Sequence, residues 1–190
     1  NSLKDIVEAT ADAGVKYISF YSWSTENWNR AEEEVRNVFK LVRRLFKTDI
    51  KELRDNGFRL VVLGGRDRLP SDICEMISEA EEISAHGERA TLVMCFNYGG
   101  QSEIVRAASR LITDRGRLTA VEQMSHGEEI TVQEFEKYLD HPEIPPCDLI
   151  VRTSGEQRLS NFMLWRSAYS ELIFLDKFWP DMRKDDVTDI

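Results

Sequence analysis

Short runs rich in β-branched and aromatic residues alternate with longer segments whose apolar residues recur every three or four positions. That alternation, more than any other feature, limits what the chain can fold into. The runs are "VKYISFYSW", "FRLVVLGG", "ATLVMCF", "DLIV" and "ELIFL". Their composition favours strands. Between the first two, Val35, Val38, Phe39, Val42, Leu45, Phe46, Ile50 and Leu53 trace an i, i+3, i+4 stripe. The stripe predicts one long amphipathic helix from Glu32 to about Asn56, ended by Gly57. Upstream, Leu3, Ile6, Val7 and Thr10 share a helical face, with Gly14 placed as its C-cap. "PSDICEMISEAEEIS", with Pro70 near its start, predicts another helix. So does the segment carrying Ile104, Val105, Ala108, Leu111 and Ile112. Residues 113–130 read as loop with a short helix, and Thr131 with Glu134 forms a capping-box pattern ahead of Phe135, Tyr138 and Leu139.

Helices alternating with short strands imply an α/β domain: a largely parallel central sheet flanked by helices. The 190 residues suit a single domain with a sizeable core, and 42% hydrophobic with 31% charged residues is ordinary for a globular chain. A net charge of −9 argues against nucleic acid as a partner, while leaving room for a local anion site. Cys74, Cys95 and Cys147 are far apart and form no CxxC pair, so neither a disulfide framework nor a zinc site is suggested. They read as reduced, mostly buried thiols of a cytoplasmic protein. No apolar run approaches the length of a membrane span, and no signal peptide is visible.

Ligands in such folds sit beyond the carboxyl ends of the strands, which makes the polar loops there informative. "STENWNR" follows the first strand, "GGRDRL" the second, "NYGGQSE" the third and "RTSGEQRLSNF" the fourth. All four are expected on one edge. In the last, Arg152 and Arg158 flank a Ser-Gly turn, with Thr153, Ser154 and Ser160 supplying hydroxyls. Guanidinium forks plus hydroxyl and backbone donors match a multiply charged phosphate, and Arg30 would add a third cation. The alternative is a structural loop in which arginine pairs with Glu156. "NYGG" is either a plain strand-to-helix turn or a set of amides facing an anion. Asn27 and Trp28 either orient a substrate or serve as turn former and core lid. No Ser/His/Asp ordering, HExxH or GxxxxGK[ST] is present, and His86, His126 and His141 stand apart from these loops.

Taken together, "FYSWSTENWNR", "NYGG", "RTSGEQRLSNFMLW" and "SAYSELIFLDKFWPD" resemble the cis-prenyltransferases, the undecaprenyl diphosphate synthase type of isoprenyl transferase, across essentially the whole chain. The resemblance implies condensation of isopentenyl diphosphate with an allylic diphosphate, each addition creating a cis double bond. It implies a long-chain undecaprenyl or decaprenyl product for cell-wall lipid carrier synthesis, made in a hydrophobic tunnel. The long helix around Val38, Val42 and Phe46 would form one wall of that tunnel. By matching position, Arg152, Arg158, Leu159 and Ser160 look like isopentenyl diphosphate holders. Ser24, Thr25, Glu26, Trp28 and Arg30 fall in the substrate-binding loop, and Asn27 matches the residue that assists proton removal. Glu171 matches a carboxylate associated with Mg²⁺ near the neighbouring subunit's site. Glu34 and Asp181 match recurrent polar positions. A homodimer is implied, its interface drawing on Trp165, Tyr169, Leu172, Phe174 and Phe178. Peripheral contact with the inner face of the membrane for product release is implied as well.

The match has departures. Family members carry an "MDGN"-like phosphate loop after their first strand, whose Asp is a Mg²⁺ ligand. Residues 1–190 therefore read as a single cis-prenyltransferase domain lacking that N-terminal segment and the basic C-terminal end. Ala31 replaces a usual proline, and Gly65 stands where aspartate is common. Three alternatives stand beside the long-chain enzyme: a short-chain cis-farnesyl diphosphate synthase, a non-catalytic partner subunit, and a phosphate-binding regulatory domain.

Overall fold

The structure, a computed structural model, describes residues 2–117 and 129–190. The strands are β1 (Tyr17–Ser24), β2 (Phe58–Leu63), β3 (Ala90–Tyr98), β4 (Leu149–Arg152) and β5 (Glu171–Phe174). The helices are α1 (Ser2–Asp12), α2 (Glu32–Asp55), α3 (Ser71–Ser84), α4 (Gly100–Arg117), α5 (Val132–Glu136) and α6 (Lys184–Asp189). Single 3₁₀ turns form at Thr25–Asn29 and Trp179–Asp181.

All strand pairs are parallel. β1 and β2 both pair with β3, giving the order β1-β3-β2, and β4 pairs with β5. The expected parallel sheet flanked by helices is present, but among the described residues its strands hydrogen-bond in two groups. Both edges of β3 are already taken, so β4 and β5 cannot join it there. All nine residues of β3 are buried, as a central parallel strand covered on both faces requires.

Side chains alternate across the sheet. Leu60, Val62, Leu92 and Met94 pack with α2 and α3 in one core. Val61, Leu63, Val93 and Cys95 face the other way, against Ile144 and Met163. α2 buries Phe39, Val42, Phe46 and Ile50, the inner part of its predicted stripe. Each such side chain contributes about 1.5–3 kcal/mol on leaving water. Arg43 grips Asp72 through two hydrogen bonds of 2.6 and 3.0 Å, tying α2 to α3. Gly57 ends α2 with φ +79°, a conformation that side-chain-bearing residues resist.

Two expectations are corrected. Residues 113–117 are the last turn of α4 rather than loop, held to α5 by the 2.8 Å Arg115–Glu134 ion pair; residues 118–128, with His126, fall outside the described residues. Of the three thiols only Cys95 is buried, while Cys74 and Cys147 are half-buried; all are free. Val42 and Phe46 are buried in the core, with Val38 packed against it.

A cavity of about 680 Å³ lies beside α2. Leu41, Leu45 and Leu53 of α2 face Leu3 and Val7 of α1 across it, over a floor of Phe20, Leu92 and Met94. The Thr131 hydroxyl caps α5 by accepting from the Glu134 N–H at 3.1 Å, as its pattern predicted. No helix among the described residues is long and apolar enough to cross a membrane.

Candidate active site

The loops after β1, β2 and β3 and the loop after β4 are joined by two asparagines that sequence reasoning did not single out. Asn97, near the end of β3, has φ +49°. Its amide nitrogen donates to the carbonyls of Gly65 and Asp67, each at 2.8 Å, and its oxygen accepts from Trp28 Nε1 at 2.7 Å. The loops after β1 and β2 are thereby clamped to β3. Asn161 does the same for the other two. Its amide nitrogen donates to Glu26 Oε1 at 2.8 Å, while its side-chain and main-chain oxygens accept from the N–H groups of Gln101 and Gly100 at 2.8 and 2.7 Å.

This crowding explains the glycines of "NYGG". A Cβ on Gly99 would lie 2.5 Å from Thr25 Oγ1 and 2.7 Å from Asn161 Nδ2, and one on Gly100 would lie 2.7 Å from Leu164 Cγ. Both glycines are demanded by close approach of neighbouring loops.

The β1 loop begins as a capped 3₁₀ turn. The Ser24 N–H donates to Asn27 Oδ1 at 2.9 Å, so Asn27 is a turn former through its oxygen, and its amide nitrogen has no partner among the described residues. Trp28 packs edge-on to Trp23 and tilted against Phe39, with the Arg68 guanidinium 4.5 Å above its ring. Such a stack restrains the indole. Thr25 and Asn27 are half-buried, whereas Glu26 and Arg30 are exposed. Partial burial opposes the charge of Glu26, but hydrogen bonds from Asn161, its own backbone N–H, Ser24 and Thr25 together outweigh it and hold the carboxyl below its ordinary range. Arg30 lies 3.8 Å from Glu34, one helical turn on.

In the loop after β4, Arg152 donates to Ser160 Oγ at 2.7 Å and to the Arg158 carbonyl. Arg158 is exposed and paired with Glu156, and half-buried Leu159 accepts from the Phe162 N–H at 3.1 Å. Ser154, Gly155, Ser160, Asn161 and Met163 all have positive φ, four of them on residues that bear side chains. Such backbone persists only where surrounding contacts over-determine it, and it clusters at ligand sites.

Glu171 stands elsewhere. It opens β5 opposite Leu149, whereas Arg152 closes β4 opposite Phe174, so the two lie at opposite ends of this strand pair. Asp181 ends the 3₁₀ turn at Trp179–Asp181. Among the described residues no group of three or more His, Cys, Asp or Glu could hold a metal ion. One exposed carboxylate does not supply a Mg²⁺ coordination shell, so the described residues of one chain do not by themselves fit the ion.

Behind the loops lies a buried ionic hub, also unforeseen. Arg166 Nη1 meets Glu103 Oε1 at 2.5 Å, both side chains at most 3% exposed. The other Glu103 oxygen accepts from the Tyr98 hydroxyl at 2.5 Å, and Arg166 also donates to the Asp140 carbonyl at 2.6 Å. The hub fixes the first turn of α4 against the segment that follows Asn161. Nothing in a single sequence pairs residues 63 positions apart.

Comparison with known proteins agrees with this geometry. The family described as "Putative undecaprenyl diphosphate synthase" matches residues 1–190. An isoprenyl transferase 2 of Bradyrhizobium diazoefficiens is 42% identical over 183 residues, covering 96% of this chain and 71% of that protein. A trans,polycis-polyprenyl diphosphate synthase ((2Z,6E)-farnesyl diphosphate specific) of Thermobifida fusca is also 42% identical, over 95% of this chain and 62% of its own length. Among solved structures, a probable undecaprenyl diphosphate synthase from Campylobacter jejuni superposes with a TM-score of 0.86 at 27% identity, over 99% of this chain and 84% of that one. Lavandulyl diphosphate synthase from Lavandula x intermedia, in complex with dimethylallyl diphosphate, gives 0.85 at 30% identity, over 100% and 80%. The chain belongs to the undecaprenyl diphosphate synthase family of isoprenyl transferases.

Proposed function

We propose that this chain condenses isopentenyl diphosphate with an allylic diphosphate, forming a cis double bond at each addition and a long, undecaprenyl- or decaprenyl-type diphosphate. The reading rests chiefly on the bonds through Asn97 and Asn161 that hold the strand-end loops together as one polar surface. In the reaction the allylic C–O bond breaks and its electron pair leaves with diphosphate. The isopentenyl double bond attacks the allylic carbon, and a proton leaves the isopentenyl unit as the new double bond forms.

Arg152 and Arg158 are assigned to the isopentenyl diphosphate, with Ser160 and the backbone at Leu159 beside them. Arg158 would exchange Glu156 for a phosphate oxygen, a low-cost trade because both side chains are at the surface. Ser24, Thr25, Glu26, Trp28 and Arg30 are assigned to substrate binding. An amide has no useful basicity, so Asn27 acts by orientation: its free amide nitrogen aims the isopentenyl unit so that one proton faces a phosphate oxygen or water. The apolar cavity beside α2 is assigned to the growing chain. Mg²⁺ dependence belongs to the same proposal through Glu171, whose position at the other end of the strand pair suits a role toward a second copy. Peripheral contact with a membrane would receive the product.

The test is to incubate the full-length protein with isopentenyl and farnesyl diphosphates and Mg²⁺, then size the dephosphorylated products by mass spectrometry. Products extended by cis units are expected. Folded protein yielding no extended product overturns the reading.

A further inference from the structure

The two arginines of "GGRDRL" are used differently. Arg66 is spent on its surroundings: it donates to the carbonyls of Gly64 and Val62 at 3.1 and 3.2 Å and lies 3.7 Å from Glu81 of α3. Arg68 is exposed, and its side chain makes no ion pair or hydrogen bond among the described residues. What its guanidinium meets is the Trp28 ring, 4.5 Å away. The backbone of Arg68 is left-handed, with φ +65°, a conformation that surrounding contacts must over-determine.

Trp28 is held on other sides as well. Its N–H donates to Asn97 Oδ1 at 2.7 Å, while the Asn97 amide donates to the carbonyl of Asp67, the residue before Arg68. Trp23 and Phe39 pack against the ring. Asparagine, indole and guanidinium therefore close a circuit between the loops after β1 and β2.

We infer that Arg68 is a positioning residue: through Trp28 it holds the loop after β1 in the shape that presents Asn27. A flat guanidinium attracts the π face of an indole while its N–H edge stays in water, so it restrains the ring with little loss of hydration. Trp28 directly follows Asn27, and both lie in the 3₁₀ turn Thr25–Asn29, so a rocking indole would swing the Asn27 amide. The consequence for turnover rests on the prenyl-transfer reading above. The restraint of Trp28 stands on the geometry alone.

Two measurements on the full-length protein test it, with Arg68→Met to remove the charge and Arg68→Lys to keep it. The first is fluorine NMR of protein labelled with fluorotryptophan, the Trp28 signal being assigned from Trp28→Phe. In Arg68→Met that signal should broaden or split, while those of Trp165 and Trp179 stay in place. The second is steady-state kinetics with isopentenyl and allylic diphosphates. Arg68→Met should lower kcat about two- to fivefold, the worth of one cation–π contact at an exposed site, with both KM values unchanged. Arg68→Lys should recover most of kcat and sharpen the Trp28 signal. A Trp28 signal unaltered in folded Arg68→Met overturns the inference whatever the turnover. So does a parental kcat in that variant, and a raised KM beside it would make Arg68 a substrate contact instead. A parent that makes no prenyl product overturns the reaction, and the Trp28 signal alone then decides whether Arg68 holds the ring.

Discussion

At the scale of single residues, Asn27 and Arg152 carry two duties each. Asn27 accepts from the Ser24 N–H, so Asn27→Ala should lower kcat and also cost about 0.5–2 kcal/mol of stability, as lost helix caps do. Asn27→Asp keeps the accepting oxygen and removes the amide donor. It should melt like the parent and still lose turnover, with the KM for isopentenyl diphosphate nearly unchanged. Normal turnover in Asn27→Asp would reduce the residue to its cap. Arg152 braces Ser160 and the Arg158 carbonyl, which fixes its fork beneath the loop. Arg152→Ala should raise the KM for isopentenyl diphosphate at least tenfold, since a charge-assisted contact contributes about 1.5–3 kcal/mol. Steady-state kinetics with the allylic substrate saturating decides it.

Between elements, the buried hub and the entry to α2 make opposite predictions. Removing one partner of a buried pair strands the other charge. Arg166→Gln should therefore destabilise by about 3–5 kcal/mol in urea unfolding. Glu103→Gln/Arg166→Gln should recover part of that loss, because Gln can still accept from Tyr98 while neither charge remains. A double variant whose loss equals the sum of the singles would show the two to be uncoupled. Ala31, which replaces a usual proline, is the reverse case. Its φ of −56° suits proline, Arg30 before it is extended at ψ 165°, and its N–H donates no hydrogen bond among the described residues. Ala31→Pro should stabilise by about 0.4–1 kcal/mol, a rise of one to a few degrees in Tm.

For the whole molecule the question is what covers the exposed apolar residues in and around β5. Tyr169 is 97% exposed, Phe178 63% and Leu172 45%, an apolar concentration that a lone chain leaves in water at a cost. Trp165, expected at the homodimer interface, makes internal contacts: it packs tilted against Phe135 at 4.6 Å and donates to Glu136. A homodimer through the remaining residues would bring Glu171 toward a second copy. Leu172→Glu should then convert a dimer to a monomer in analytical ultracentrifugation and lower activity. A parent that sediments as a monomer at micromolar concentration with full turnover would overturn the dimer.

Local order was written in the residues themselves. Periodicity of 3.6 gave α2 its stripe, β-branched runs gave the strands, Gly57 and Thr131 marked helix ends, and the loops after the strands were identifiable as polar and arginine-bearing. These features depend on neighbours a few positions apart, which a sequence displays directly. What only the tertiary structure decided depends on neighbours far apart. That Leu41, Leu45 and Leu53 line a cavity with Leu3 and Val7 was settled only when α1 and α2 met over the sheet. Asn97 and Asn161 became clamps because the chain turns through positive φ there, so their side chains meet loops 32 and 135 residues away. Glu103 and Arg166 became a buried pair because α4 lies against the segment after Asn161. In each case the physical reason is the same: burial and hydrogen-bond satisfaction are settled by packing between elements, and packing is invisible until the elements meet.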